Sequence, residues 1–190
     1  MANLAEAQRQ YERGLDAHRV GEYEEALEAL SRARDLYAEA GDRDGEGKVL
    51  NDMGVVCVEM EEWDQAEIFL EEAHTIRMSL QDRSGEGMTL GNLGMMYARQ
   101  GEEEKAIHAY ERALDIFQQL GERGNEKAIA RQLSKLKMKK GRFLEALGDY
   151  QEELEDREAP SGAQKIAHRL FRLLGRVSSA GTTEGDNEDD

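Results

Sequence analysis

Gly14, Gly54 and Gly94 stand forty residues apart, and the residues around them recur at the same interval. Ala26, Ala66, Ala106 and Ala146 keep that period, as do Ala33, Ala73 and Ala113. Self-similarity at one fixed period means that a single supersecondary unit is copied and stacked along an axis. Composition agrees with helical copies. Among 190 residues there are one proline, one tryptophan and four phenylalanines, which suits helices better than a sandwich or barrel. Such stacks act by presenting an extended surface rather than by assembling a reaction centre.

The repeating positions have a plain packing role. Gly14, Gly54 and Gly94 remove a side chain where one helix must lie close to the next, and the Ala26 series does the same from the opposite helix. Leu90, Leu93 and Tyr97 then form an apolar stripe at helical spacing. Between paired helices lie Gly21-Glu22-Tyr23, Glu61-Glu62-Trp63, Gly101-Glu102-Glu103 and Gly141-Arg142-Phe143. Glycine there fits a left-handed helix stop, so Glu61 predicts a second turn that is strained or differently shaped. The segments 40–47, 80–87 and 120–126 predict a longer second helix followed by a longer turn. Gly45-Glu46-Gly47 and Gly85-Glu86-Gly87 are read as turning one copy into the next. They lack the Lys-Ser/Thr of a phosphate-binding loop and the strand before it.

The third copy spaces Leu90, Leu93, Gly94 and Tyr97 as L-x2-L-G-x2-Y, followed by Ala106, Tyr110 and Ala113. This resembles the tetratricopeptide repeat, a helix–turn–helix unit, and the forty-residue period resembles the subclass of cell-polarity and G-protein adaptors. The resemblance covers about residues 7–157 and implies an all-α, right-handed solenoid of four helix–turn–helix repeats, at about 7–40, 47–80, 87–120 and 127–157, within a repeat domain 1–160. After Pro160, Ser161 and Gln164 suit a capping box, and apolar residues from Ile166 to Val177 predict a C-terminal capping helix over 161–177. Residues 178–190 read as a disordered acidic tail.

Net charge is −16, which repels phosphate backbones and anionic lipid surfaces, so neither a nucleic-acid nor a membrane partner is expected. No apolar run reaches the roughly eighteen residues of a membrane span. The charged first twenty residues carry no secretory signal, and the single Cys57 allows no internal disulfide, so a cytoplasmic protein is expected. His18, His74, His108 and His168 occupy different repeat positions and read as surface or groove residues, with no metal site, no cofactor and no catalytic set. Cys57 takes the inward position of Tyr97 and reads as an inert core thiol. The expected activity is therefore non-enzymatic: a protein-binding scaffold or adaptor.

In the family that the chain resembles, the first helix of each repeat lines a concave groove. Carried over, that face holds Tyr11, Leu15, His18 and Arg19; Lys48, Asn51, Val55 and Val58; Met88, Asn92, Met95 and Arg99; and Arg131, Lys135, Met138 and Lys139. The position after the glycine reads Leu15, Val55, Met95, Lys135, an apolar track ending in a basic patch. It suits a protein or peptide partner with apolar and acidic residues, anchored on Leu15, Val55 and Met95 and hydrogen-bonded by Asn51 and Asn92. The lysine–asparagine–arginine clamp of the chaperone-binding branch is absent: Tyr11, Leu15, Asp52, Met88 and Asn92 stand there. Lys165, Arg169, Arg172 and Arg176 make the C-terminal helix basic, so it docks on its own acidic stack or swaps onto a second chain to give a homodimer. Self-assembly through that helix or the stack ends is the alternative function.

Overall fold

The computed structural model describes residues 4–139, all helix and short turns. Its elements are α1 (Leu4–Val20), α2 (Tyr23–Ala40), α3 (Arg43–Glu59), α4 (Trp63–Ser79), α5 (Arg83–Gln100), α6 (Glu103–Leu120) and α7 (Arg123–Lys139). Three helix pairs and the first helix of a fourth are thus in view. The second helix of the fourth repeat, the capping helix and the acidic tail lie outside the described residues.

The first helices α1, α3 and α5 pack mainly on their own second helices, and α3, α5 and α7 also pack on the second helix of the preceding pair. Close approach within a pair comes from the repeating glycines. A Cβ at Gly14 would stand 2.6 Å from Leu30 Cγ, and one at Gly54 would stand 2.6 Å from Leu70 Cγ. Ala26, Ala66 and Ala106 are fully buried on the facing helices. In addition, α3 touches α5 and α5 touches α7, whereas no two second helices make comparable contact. A stack whose first helices touch along one side is curved, and those helices form its concave face.

Every turn has the same hand. Gly21, Gly41, Gly101 and Gly121 have φ of 83, 71, 90 and 69°, while Glu61 and Gln81 take φ of 60 and 56° in the same places. The expectation of a differently shaped second turn is corrected. Glu62 N–H donates to Cys57 O at 2.9 Å just as Glu22 N–H donates to Ala17 O and Glu102 N–H to Tyr97 O. The hydrogen bonds that close the turn hold the glutamate in the left-handed region, at a local cost that glycine avoids.

The segments between repeats also differ from expectation. The turn there is short, and Gly45-Glu46-Gly47 and Gly85-Glu86-Gly87 lie in the first turns of α3 and α5. The extra length of the repeat therefore goes into the start of the next first helix as well as the end of the second. The physical reason is a cap: Asp42 and Asp82 accept from Gly45 N–H and Gly85 N–H at 3.0 and 2.9 Å. Glycine is needed there for space, because a Cβ at Gly45 would meet the Tyr37 ring at 2.4 Å.

Cys57 is fully buried, and burial pushes its thiol up to about 11. His74 is another correction: it is buried at 8% exposure, with its Nδ1 3.9 Å from Glu71 and its Nε2 3.7 Å from Glu86. His18 is half-buried beside the Tyr23 ring, and His108 is exposed.

Candidate binding groove

A polar ladder runs across the concave face. The Tyr11 hydroxyl on α1 donates to Asp52 Oδ2 at 2.6 Å on α3, and Asn51 Nδ2 donates to Asp52 Oδ1 at 3.1 Å. Asn92 Nδ2 on α5 then donates to Asn51 Oδ1 at 2.9 Å. Burial first, and the Asp52 carboxylate second, raise the Tyr11 pKa well above its ordinary value, so the hydroxyl remains a donor at neutral pH. Asn51 and Asn92, expected to face a partner's backbone, spend part of their hydrogen-bonding capacity on joining α3 to α5. Each amide group uses one of its two N–H donors in the ladder.

Apolar and basic residues flank the ladder. Leu15, Val55 and Met95 are half-buried, and Met88 and Met138 are 53% and 52% exposed. Arg131 and Lys135 are exposed on α7. Two hollows open beside them. One, of about 340 Å³, is lined by Tyr11, Asn51, Asp52, Arg77 and Met88, among others. The other, of about 260 Å³, lies between α5 and α7 and is lined by Met88, Gly91, Met95, Ile129 and Gln132, among others. Met88 is a wall of both, so the two adjoin across its side chain.

The remaining expected residues sort by their contacts. Arg19 pairs with Asp16 at 3.0 Å, and Lys48 pairs with Asp44 at 2.5 Å, each within its own helix. Arg99 reaches Glu59 at 2.9 Å and so joins α5 to α3. The hydrogen bond from Lys48, and after it that from Arg77, holds the Asp44 carboxyl below its ordinary pKa despite partial burial. Val58 is the correction here. It is fully buried and shares a cluster with Leu90, Leu93 and Met96 of α5, so it fills the joint between repeats instead of lining the groove. Lys139 ends α7, and no side-chain description extends to it.

Arg77, Asp52, Gly91, Ile129 and Gln132 line the hollows, although the groove assignment carried over from the repeat pattern did not include them. Two of them carried a signal. Asp52 and Gln132 stand at the same step as Asn92 in successive first helices, a polar series on an otherwise apolar side. Arg77, whose counterparts are Tyr37 and Phe117, had none that pointed to a concave face.

Paired helices, left-handed turns and a concave face made by every first helix are the geometry of one repeat class, and the sequence matches it. The tetratricopeptide repeat family matches residues 3–79 and 85–159. The chain belongs to that family. Tetratricopeptide repeat stacks generally mediate protein–protein interaction and are generally binding scaffolds rather than enzymes. Solved structures agree on the fold. The kinesin light chain-like protein of Podospora anserina, with nearly identical TPR-like repeats, superposes with a TM-score of 0.72 at 14% identity, covering 97% of this chain and 100% of that one. The apo form of RapI gives 0.74 at 14% identity over 92% of this chain and 48% of its own, so the chain spans about half of RapI. BtubC from P. vanneervenii gives 0.65 at 18% identity over 97% and 68%. No curated protein sequence matches the chain. Among the described residues no helix is long and apolar enough to cross a membrane.

Proposed function

We propose that this tetratricopeptide repeat protein is an adaptor whose concave groove holds a segment of a protein partner. The segment crosses α1, α3, α5 and α7 in turn. Leu15, Val55 and Met95 receive its apolar side chains, and Arg131 and Lys135 attract acidic residues at the α7 end. The observation that carries this reading is the pair of adjoining hollows with the half-exposed Met88 between them. A flexible thioether at such a place adapts to a partner's shape at little cost.

Affinity capture from lysate with wild type, Val55→Ser/Met95→Ser and Arg131→Glu/Lys135→Glu tests it, each variant first matched to wild type for helicity. Loss of the same protein from both variants is the expected result. Equal recovery by all three means that the groove is not the binding surface.

Self-association is the second reading, favoured by Ile68 and Met78 on α4, which are 56% and 54% exposed. A sedimentation mass that rises with concentration, and that Ile68→Ser/Met78→Ser abolishes, would establish it in place of the groove.

A further inference from the structure

We infer that the partner segment carries a lysine or arginine that pairs with Asp52, and a large apolar residue about three positions away that enters the hollow between α5 and α7. The inference rests on the groove reading and adds the chemistry of the occupant. It starts from the countercharges along α3 and α5. Asp44 is paired with Lys48 and Arg77, Asp82 with Arg77, Glu59 with Arg99, and Glu86 with Arg83. Asp52 is different. Both of its oxygens accept, but only from neutral groups, the Tyr11 hydroxyl and the Asn51 amide.

Asp52 is half-buried and lines the larger hollow. A carboxylate partly withdrawn from water and met only by neutral donors gains most from a cation that can reach it through an open concavity. The net charge of −16 adds long-range attraction for a basic segment. Beyond Met88 the character of the groove changes to apolar, with Gly91, Met95 and Ile129 around the second hollow. Packed helices lie roughly 10 Å apart, and an extended chain advances about 3.3 Å per residue. One step along the stack therefore spans about three residues. The segment lies with its cation in the hollow between α3 and α5 and its apolar residue in the one between α5 and α7, which leaves its far end near Arg131 and Lys135.

The test is selection of displayed random twelve-residue peptides on the full-length protein, followed by fluorescence anisotropy of the enriched peptides. Wild type should enrich Lys or Arg three places from Leu, Met or Phe. Asp52→Asn should bind those peptides at least about tenfold more weakly, Asp52→Glu should recover much of the loss, and added salt should narrow the gap. Enriched peptides without a basic residue, or with equal affinity for Asp52→Asn while Met95→Gln weakens them, would overturn the inference and leave the groove standing. No enrichment, or equal affinity for all variants, would remove the groove reading and this inference with it. An occupant from the same chain is also open to test. If Arg169→Glu/Arg172→Glu tightens peptide binding about tenfold, the chain's own basic segment holds the site in place of a partner.

Discussion

Where the first helix pair meets the second, the ring of Tyr37 lies against the first turn of α3. Where the second meets the third, the side chain of Arg77 takes the same place against α5. The two joints share backbone geometry and differ in chemistry. Tyr37 packs among Val49, Met53 and Val56, and its hydroxyl reaches Gln8 Oε1 at 2.9 Å. Arg77, only 5% exposed, donates from one nitrogen to Asp44 Oδ1 at 2.7 Å and to Asp82 Oδ2 at 2.9 Å. Asp82 also caps α5, so one guanidinium ties α4 to the starts of both neighbouring first helices. His74, Glu86 and Thr89 are buried at the same joint. A repeat thus fixes the shape of a joint without fixing whether oil or charge fills it.

The largest effect expected from breaking that contrast belongs to Arg77→Ala, which leaves Asp44 and Asp82 without their shared cation. Urea unfolding should show a loss of about 3 kcal/mol. Arg77→Phe, which imports the residue found at Phe117, should lose less than the alanine variant, since its ring refills the joint although Asp44 and Asp82 still lack the cation. An alanine variant within 1 kcal/mol of wild type would mean that the ion pairs do not hold this joint together.

The turns sharpen the same comparison. The second pair is the one whose turns use Glu61 and Gln81 where its neighbours use glycine. Glu61→Gly and Gln81→Gly should each raise stability by about 1 kcal/mol, and Gly101→Ala should lower it by a similar amount. Thermal or urea unfolding of the three variants decides this, and no gain from either glycine would show that the glutamate and glutamine sit there without strain.

A smaller effect, absent at neutral pH, concerns Cys57. Its folded pKa, raised by burial to about 11, lies above the ordinary 9.0. The thiol therefore contributes stability that is intact below about pH 9 and is lost as pH rises through about 11. Cys57→Val should flatten that part of the pH–stability curve. Parallel curves for variant and wild type between those values would overturn the assignment.

Much of this fold was legible because small residues recur where helices touch. Gly14, Gly54 and Gly94 and the alanines opposite them announce close packing in any sequence order. The start of each first helix was harder to read. Glycine usually marks a turn, and only the capping bonds from Asp42 and Asp82 show why Gly45 and Gly85 are helical. Val58 misled for a related reason. A residue one step along from Cys57 faces the next repeat, and spacing within one helix cannot tell a neighbouring helix from open groove. The ladder through Tyr11, Asp52, Asn51 and Asn92 depends on contacts between residues about forty apart, which a pattern of residue types does not order into pairs.

Reversals at residues 21, 41, 61, 81, 101 and 121 cut the described chain into equal lengths of twenty. Equal lengths make the architecture a ruler. Duplicating or deleting forty residues between two reversals would leave every surviving helix with the same inward side and the same kind of neighbour. The reach of the protein would then change by whole divisions, roughly 10 Å at a time. Copying and trimming can thus lengthen or shorten the stack, with new contacts needed only at the joint where the cut ends meet.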